Sequence, residues 1–263
     1  MSVNLEARLA DLHVHLLPGL DDGPQSWDDA LAMCQIAAAE GVRHTVALAH
    51  QSERWNVSAD AIRAACRELR QRLQADDTPL EIFPAAEVMA TPEMTDAWAA
   101  GRLLSVGDHG QFLLVEMPHR LFVDLRPIVR RLSARGVRLI LAHPERHPEL
   151  LHDSGRLEEL IGFGCLVQVS SRSLTDPASS ADEKAVRDWC RRGCVHLLGS
   201  DGHSPRRRKP LLSAAAGRIR EWAGPAAAER ICGATGRAIL NGEPVDVPPP
   251  TAGRRFWPSR LLG

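Results

Sequence analysis

No apolar run in this chain approaches the roughly 20 residues that a bilayer-spanning helix needs. The opening MSVNLEARLA has neither the basic nor the apolar region of a secretory signal. A cytoplasmic protein without membrane insertion is expected. The six cysteines, Cys34, Cys66, Cys165, Cys190, Cys194 and Cys232, show no CxxC spacing. That excludes a zinc knuckle or disulfide framework and leaves reduced, buried thiols. An excess of one charge is lacking too: the formal net charge is −1 with 25% charged residues. Neither a nucleic-acid groove nor attraction to anionic lipid follows from that balance.

What is present is a repeating pattern. With 263 residues and 44% hydrophobic content the chain is long enough for one large α/β domain. Short β-like runs alternate with helical ones: ADLHVH (10–15), HTVALA (44–49), EIFPAAE (81–87), FLLVE (112–116), RLILAH (138–143), CLVQVS (165–170) and VHLLGS (195–200). The helical runs carry end signals. In SWDDALAMCQIAAAEG, Ser26 can cap, Asp28 and Asp29 suit the positive helix end, and Gly41 can terminate. ADAIRAACRELRQRLQA, RPIVRRLSARG and DEKAVRDWCRRG read the same way, with Gly136 and Gly193 after the last turn of the latter two. Repeated βα units imply parallel strands with right-handed crossovers, and the expected fold is a single-domain, distorted (β/α)₇ barrel over residues 1–241. Residues 242–263 hold five prolines and are expected to form a tail without regular structure, its RRFW flexible or packed on the surface.

In such barrels, functional residues come from the C-terminal ends of strands and the loops that follow. His13 and His15 end strand one, with Asp22 in the loop after it; His50, Glu87, Glu116 and His143 end strands two to five; strand seven runs into Asp201 and His203. One histidine at a strand end is ordinarily a satisfied polar residue. Nine imidazoles and carboxylates on one rim are a convergent set and exceed what one ion can use. Two to three divalent metals are implied, and the mixed nitrogen and oxygen donors suit manganese, iron, magnesium or zinc. His44 and His196, at strand beginnings, and His109, His119, His147 and His152, in loops or helix starts, are assigned to structure or solvent.

HxH after strand one, His after strand two, Glu after strand three, AHPER after strand five and SDGH after strand seven resemble the PHP superfamily of metal-dependent phosphoesterases. LLPGLDDGP, LAHPERH and SDGHSPRRRKP resemble, more closely, the bacterial PHP-type protein tyrosine phosphatases of capsule and exopolysaccharide operons. The resemblance implies a trinuclear centre, manganese first among the candidates, held by His13, His15, His50, Glu87, Glu116, His143, Asp201 and His203. It further implies that Asp22 is a ligand or proton donor, that His203 could also deliver a proton, and that Arg146 and Arg208 hold phosphate. The substrate implied is a tyrosine-phosphorylated protein, the tail of a bacterial tyrosine kinase, attacked by water activated at the ions. Three departures stand out. Gln51 occupies a place where relatives carry a substrate-contacting base, SDGH replaces SDAH, and Arg206 and Arg207 crowd Arg208, which is chosen by ungapped spacing.

Other readings are a small-molecule phosphatase of the same superfamily, such as a histidinol phosphatase, and a non-catalytic metal- or phosphate-binding protein. A cysteine-dependent phosphatase is formally spelled by Cys66 and Arg72, which have Cys-x₅-Arg spacing. CRELRQR nevertheless lies inside a helical run, without the strand and glycine-rich turn that a phosphate loop needs.

Overall fold

The computed structural model describes residues 9–119, 121–246 and 249–251. Its strands are β1 (Leu9–Asp11), β2 (Val42–Gln51), β3 (Glu81–Met89), β4 (Phe112–Glu116), β5 (Arg138–Ala142), β6 (Leu166–Ser170) and β7 (Leu197–Gly199). All six neighbouring pairs are parallel, in the order β1-β2-β3-β4-β5-β6-β7. The helices are α1 (Trp27–Ala39), α2 (Ala59–Ala75), α3 (Met94–Ala99), α4 (Arg126–Ser133), α5 (Pro148–Leu151), α6 (Ser154–Gly162), α7 (Ser171–Thr175), α8 (Ser180–Arg192), α9 (Ser213–Ala223), α10 (Pro225–Glu229) and α11 (Thr235–Leu240). Strands covered on both faces need continuous apolar runs, and β4 and β6 are buried at every position.

Cap chemistry explains where the long helices start. Ser26, Ser58 and Ser179 accept hydrogen bonds from the amides of Asp29, Ala61 and Asp182, at 3.2, 3.1 and 3.1 Å. Gly193 ends α8 in the left-handed conformation, at φ 75°, as the sequence pattern anticipates.

β1 is shorter than expected. After Asp11 the chain leaves the regular ladder, and only isolated bridges pair Val14 with Gly202 and His15 with Leu48. The cause is a side chain: Asp11 Oδ1 accepts from the amides of His13 (3.1 Å) and Ser200 (2.9 Å). It stands in for a strand partner at the seam between β1 and β7. Backbone bonds from Asp201 N to His13 O (2.7 Å) and from His15 N to Gly202 O (2.9 Å) then draw the first and last strands together. The seven strands thus form a nearly closed barrel, with every strand exit on one rim.

Past α11 the described residues form no helix or strand. Val245 O accepts from Arg138 Nη1 at 2.7 Å, and Thr251 N donates to Arg192 O at 2.9 Å. RRFW lies outside the described residues. None of the helices found among the described residues is long and apolar enough to cross a membrane.

Close approach at the seam demands a glycine in β7. A Cβ on Gly199 would stand 2.4 Å from His13 Cβ and 2.6 Å from Gln168 Nε2. Gly199→Ala is expected to cost about 1–3 kcal/mol through overpacking. Urea denaturation checks this, and an unchanged midpoint would contradict such tight closure.

Candidate metal centre

The exits of β1, β2, β3, β4, β5 and β7, but not that of β6, deliver side chains to one cluster. Glu87, 1% exposed, stands at the middle. Its Oε2 lies 3.1 Å from His13 Nε2, 3.3 Å from His15 Nε2 and 3.3 Å from His50 Nδ1, while Oε1 lies 2.9 Å from His143 Nε2. Glu116 Oε1 approaches His50 Nδ1 at 3.1 Å, and Asp201 Oδ1 is 3.5 Å from His13 Nε2. At the outer edge Asp22 Oδ1 lies 3.4 Å from His203 Nε2 and 3.5 Å from His50 Nε2. All nine residues singled out from the sequence come together. Three groups of donor atoms, each within 4.8 Å of one another, are His15, Asp22, His50 and His203; His13, His15 and Glu87; and His50, Glu87 and Glu116.

Divalent ions fit this donor set. His13 Nε2, His15 Nε2 and His50 Nδ1 face carboxylate oxygens at 3.1 to 3.3 Å without hydrogen-bond geometry, and His143 Nδ1 is buried without a partner, an arrangement that costs free energy unless something else meets the nitrogen. Two of the rings are aimed from behind. His13 Nδ1 lies 2.9 Å from Gln168 Oε1 and His15 Nδ1 lies 2.7 Å from Asp21 Oδ2, which turns each Nε2 inward as metal-ligating imidazoles require. Asp21 also accepts from the amides of His50 and Gly23, both at 2.9 Å. His143 and Asp201 adopt left-handed backbone conformations, with φ 33° and 53°. Residues other than glycine rarely do so, and such strain concentrates at functional sites.

Electrostatics follow from crowding. Burial opposes the charged form of His13, yet the Glu87 carboxylate raises its pKa to about 9. His50 is likewise opposed by burial and raised to about 11 by Asp22, Glu116 and Glu87. Burial also works against ionised Asp201, but His13, Arg146, His143 and Arg208 hold its carboxyl well below the usual range. The Asp22 carboxyl is held low chiefly by its hydrogen bonds to His203 and His50. Negative carboxylates thus retain protons on His13 and His50 where cations would otherwise balance them.

Beside the cluster, Arg146 Nη2 and Arg208 Nη2 both contact Asp201 Oδ2, the latter at 2.6 Å. Both arginines line a cavity of about 1350 Å³ that opens from the cluster between the loops after β5, β6 and β7. Arg206 turns away toward Asp29, at 3.5 Å. Gln51 is engaged by the backbone around it. It is buried, its amide nitrogen donates to Val57 O and Arg102 O, and its oxygen accepts from Leu104 N. Cys66 is buried in α2, and burial pushes its thiol up to about 11, the opposite of an activated nucleophile. All six cysteines are buried free thiols.

Asp21, Gln168 and Asp11 escaped the sequence reading. Gln168 is the lone polar side chain within the apolar stretch LVQV, and Asp11 directly precedes LHVH. Those were the available signals, and the partners that explain them lie up to 189 residues away.

Fold and site together define an α/β-barrel protein whose C-terminal rim can hold a cluster of divalent ions. Residues 9–241 match the family model for capsular polysaccharide synthesis proteins CpsB/CapC, and the chain belongs to that family. It is 28% identical over 209 residues to the tyrosine-protein phosphatase YwqE of Bacillus subtilis (strain 168), covering 76% of this chain and 79% of YwqE. It is 24% identical to the tyrosine-protein phosphatase CpsB of Streptococcus pneumoniae, over 79% of this chain and 88% of CpsB. A crystal structure from the study of YwqE and pneumococcal CpsB, described there as metal-dependent tyrosine phosphatases, superposes with a TM-score of 0.85 at 25% identity. That match covers 94% of this chain and all of the other. A histidinol phosphate phosphatase of Lactococcus lactis shares the fold alone, with a TM-score of 0.55 at 12% identity over 82% of this chain and 94% of its own.

The proton balance gives a test. In the metal-free chain, His13 and His50 carry raised values of about 9 and 11. A raised histidine contributes stability that is complete below the unfolded value, about 6.5, and is lost as pH rises through the folded value. Chelator-stripped protein should therefore lose thermal stability between about pH 6.5 and 9 and further toward 11, whereas manganese-refilled protein should lose less. Equal slopes in thermal melts of the two forms would contradict this charge balance.

Proposed function

We propose that this chain is a metal-dependent tyrosine-protein phosphatase that hydrolyses phosphotyrosine on a protein. We further infer that the substrate is the phosphorylated tail of a tyrosine kinase of capsule or exopolysaccharide synthesis. The observation that carries the reading is the convergence of four imidazoles on the buried Glu87 carboxylate, with two arginines beside it at Asp201. The activity named for YwqE and CpsB supports the choice of substrate.

His13, His15, His50, Glu87, Glu116, His143, Asp201 and His203 would hold two to three divalent ions, manganese first among them. Bound there, the ions supply positive charge toward the phosphoryl oxygens and an activated water for attack on phosphorus. The chain's own residues do the rest. Arg146 and Arg208 hold non-bridging phosphate oxygens, for which a planar, permanently charged guanidinium is suited. Both already meet at Asp201, so the carboxylate orients their forks toward the cavity. Asp22, whose carboxyl is held low chiefly by its hydrogen bonds to His203 and His50, would join them as a further ligand at the cluster's edge. Its partner His203, 6% exposed, serves beside it as a ligand. Phenolate, whose conjugate acid has a pKa near 10, needs little protonation to leave, and solvent suffices.

Asp201→Ala and His143→Ala are each expected to abolish turnover of a phosphotyrosine peptide and to reduce bound metal on elemental analysis. Arg146→Ala should keep its metal while kcat/KM falls about a hundredfold, as loss of a charge-stabilising donor does. If Asp201→Ala retained both metal and turnover, the shared site would be refuted.

A further inference from the structure

The cavity beside the metal centre is larger than phosphotyrosine requires. Binding sites for drug-sized molecules run to about 300–1,000 Å³, and this groove, of about 1350 Å³, continues past Arg146, Arg208 and Asp201 to α7 and the first turn of α8. Its lining includes Arg172, Arg207 and Lys209 in addition to the two phosphate arginines.

Its charges divide into those already neutralised and those left over. Among the groove's carboxylates, Asp201 is held by Arg146 and Arg208, and Asp176 pairs with Arg172 at 3.1 Å. Glu145, 7% exposed, accepts from Ser170 N at 2.8 Å. Asp182, at the start of α8, keeps no side-chain partner among the described residues. On the cationic side Arg207 and Lys209, consecutive with the phosphate-holding Arg208 and exposed, have no side-chain partner among the described residues. The wall next to the phosphate end is therefore positive and unpaired.

We propose that this groove seats the polypeptide flanking the phosphotyrosine, and that Arg207 and Lys209 select an anionic side chain there, a carboxylate or a second phosphotyrosine. The inference rests on the phosphatase reading and adds a preference within it. Two solvent-exposed ion pairs are worth a modest energy, so acidic flanks should raise kcat/KM about three- to tenfold over neutral flanks. Salt should shrink that preference, because the contacts are open to solvent.

The test compares manganese-loaded wild type with the double variant Arg207→Gln, Lys209→Gln. Substrates are peptides with one phosphotyrosine flanked by alanine, by glutamate, or by a second phosphotyrosine, with the anion on either side. The chain itself contains no tyrosine, so every phosphotyrosine signal belongs to the peptide. The expected result is faster hydrolysis of anionic peptides by the wild type and a ratio near one in the variant. Acceleration by glutamate identifies carboxylates as sufficient; acceleration by the second phosphotyrosine alone assigns the site to phosphate. A wild type indifferent to flanking charge, or a preference that survives in the variant, would overturn the inference while leaving the phosphatase reading intact. Failure to hydrolyse any of the peptides would overturn both.

Discussion

One carboxylate organises this molecule. Glu87, near the end of β3, is excluded from water, and four imidazoles from the β1, β2 and β5 exits close on it within 3.3 Å. A buried charge is tolerated only when compensated. Protons on His13 and His50 can provide that compensation in the bare chain, and divalent ions provide it in the active form that we propose. The same residues therefore answer two demands, a balanced core and a place for metal, and the competition between proton and ion ties metal content to pH.

The barrel is bent to bring these groups together. A regular first strand would run parallel to its neighbours and continue its ladder. Instead Asp11 takes over two amides, β1 ends, and His13 and His15 cross toward the exit of β7. Gly199 makes room for the crossing, and the chain turns left-handed at His143 and Asp201, which face Glu87 and His13. Gln168 and Asp21 then set the two imidazole rings of the HxH pair. Strain and unsatisfied nitrogens accumulate where the chemistry is, while the helices around the strands follow ordinary capping rules.

Much of this was legible in the linear chain. Alternating apolar runs expose the seven βα units, because a parallel strand covered on both faces needs an apolar sequence and each long helix needs its cap. The convergence of the nine imidazoles and carboxylates was legible because strand exits share one rim. Two things were not. The bend in β1 depends on Asp11 meeting Ser200, a contact across the whole chain that no local pattern encodes. Gln51 looked like an altered substrate contact from its place after His50, but burial turns its amide into a tie between the β2 exit and the segment at Arg102–Leu104. Side-chain direction decides such cases, and periodicity does not supply it at strand ends.

Phosphate release by chelator-stripped protein refilled with manganese, from a phosphotyrosine peptide and from histidinol phosphate at matched concentrations, tests the central claim most directly. A protein phosphatase built on this rim releases phosphate faster from the peptide, and only after refilling. Faster release from histidinol phosphate would place the site in small-molecule metabolism, and release undiminished by stripping would contradict the metal centre itself.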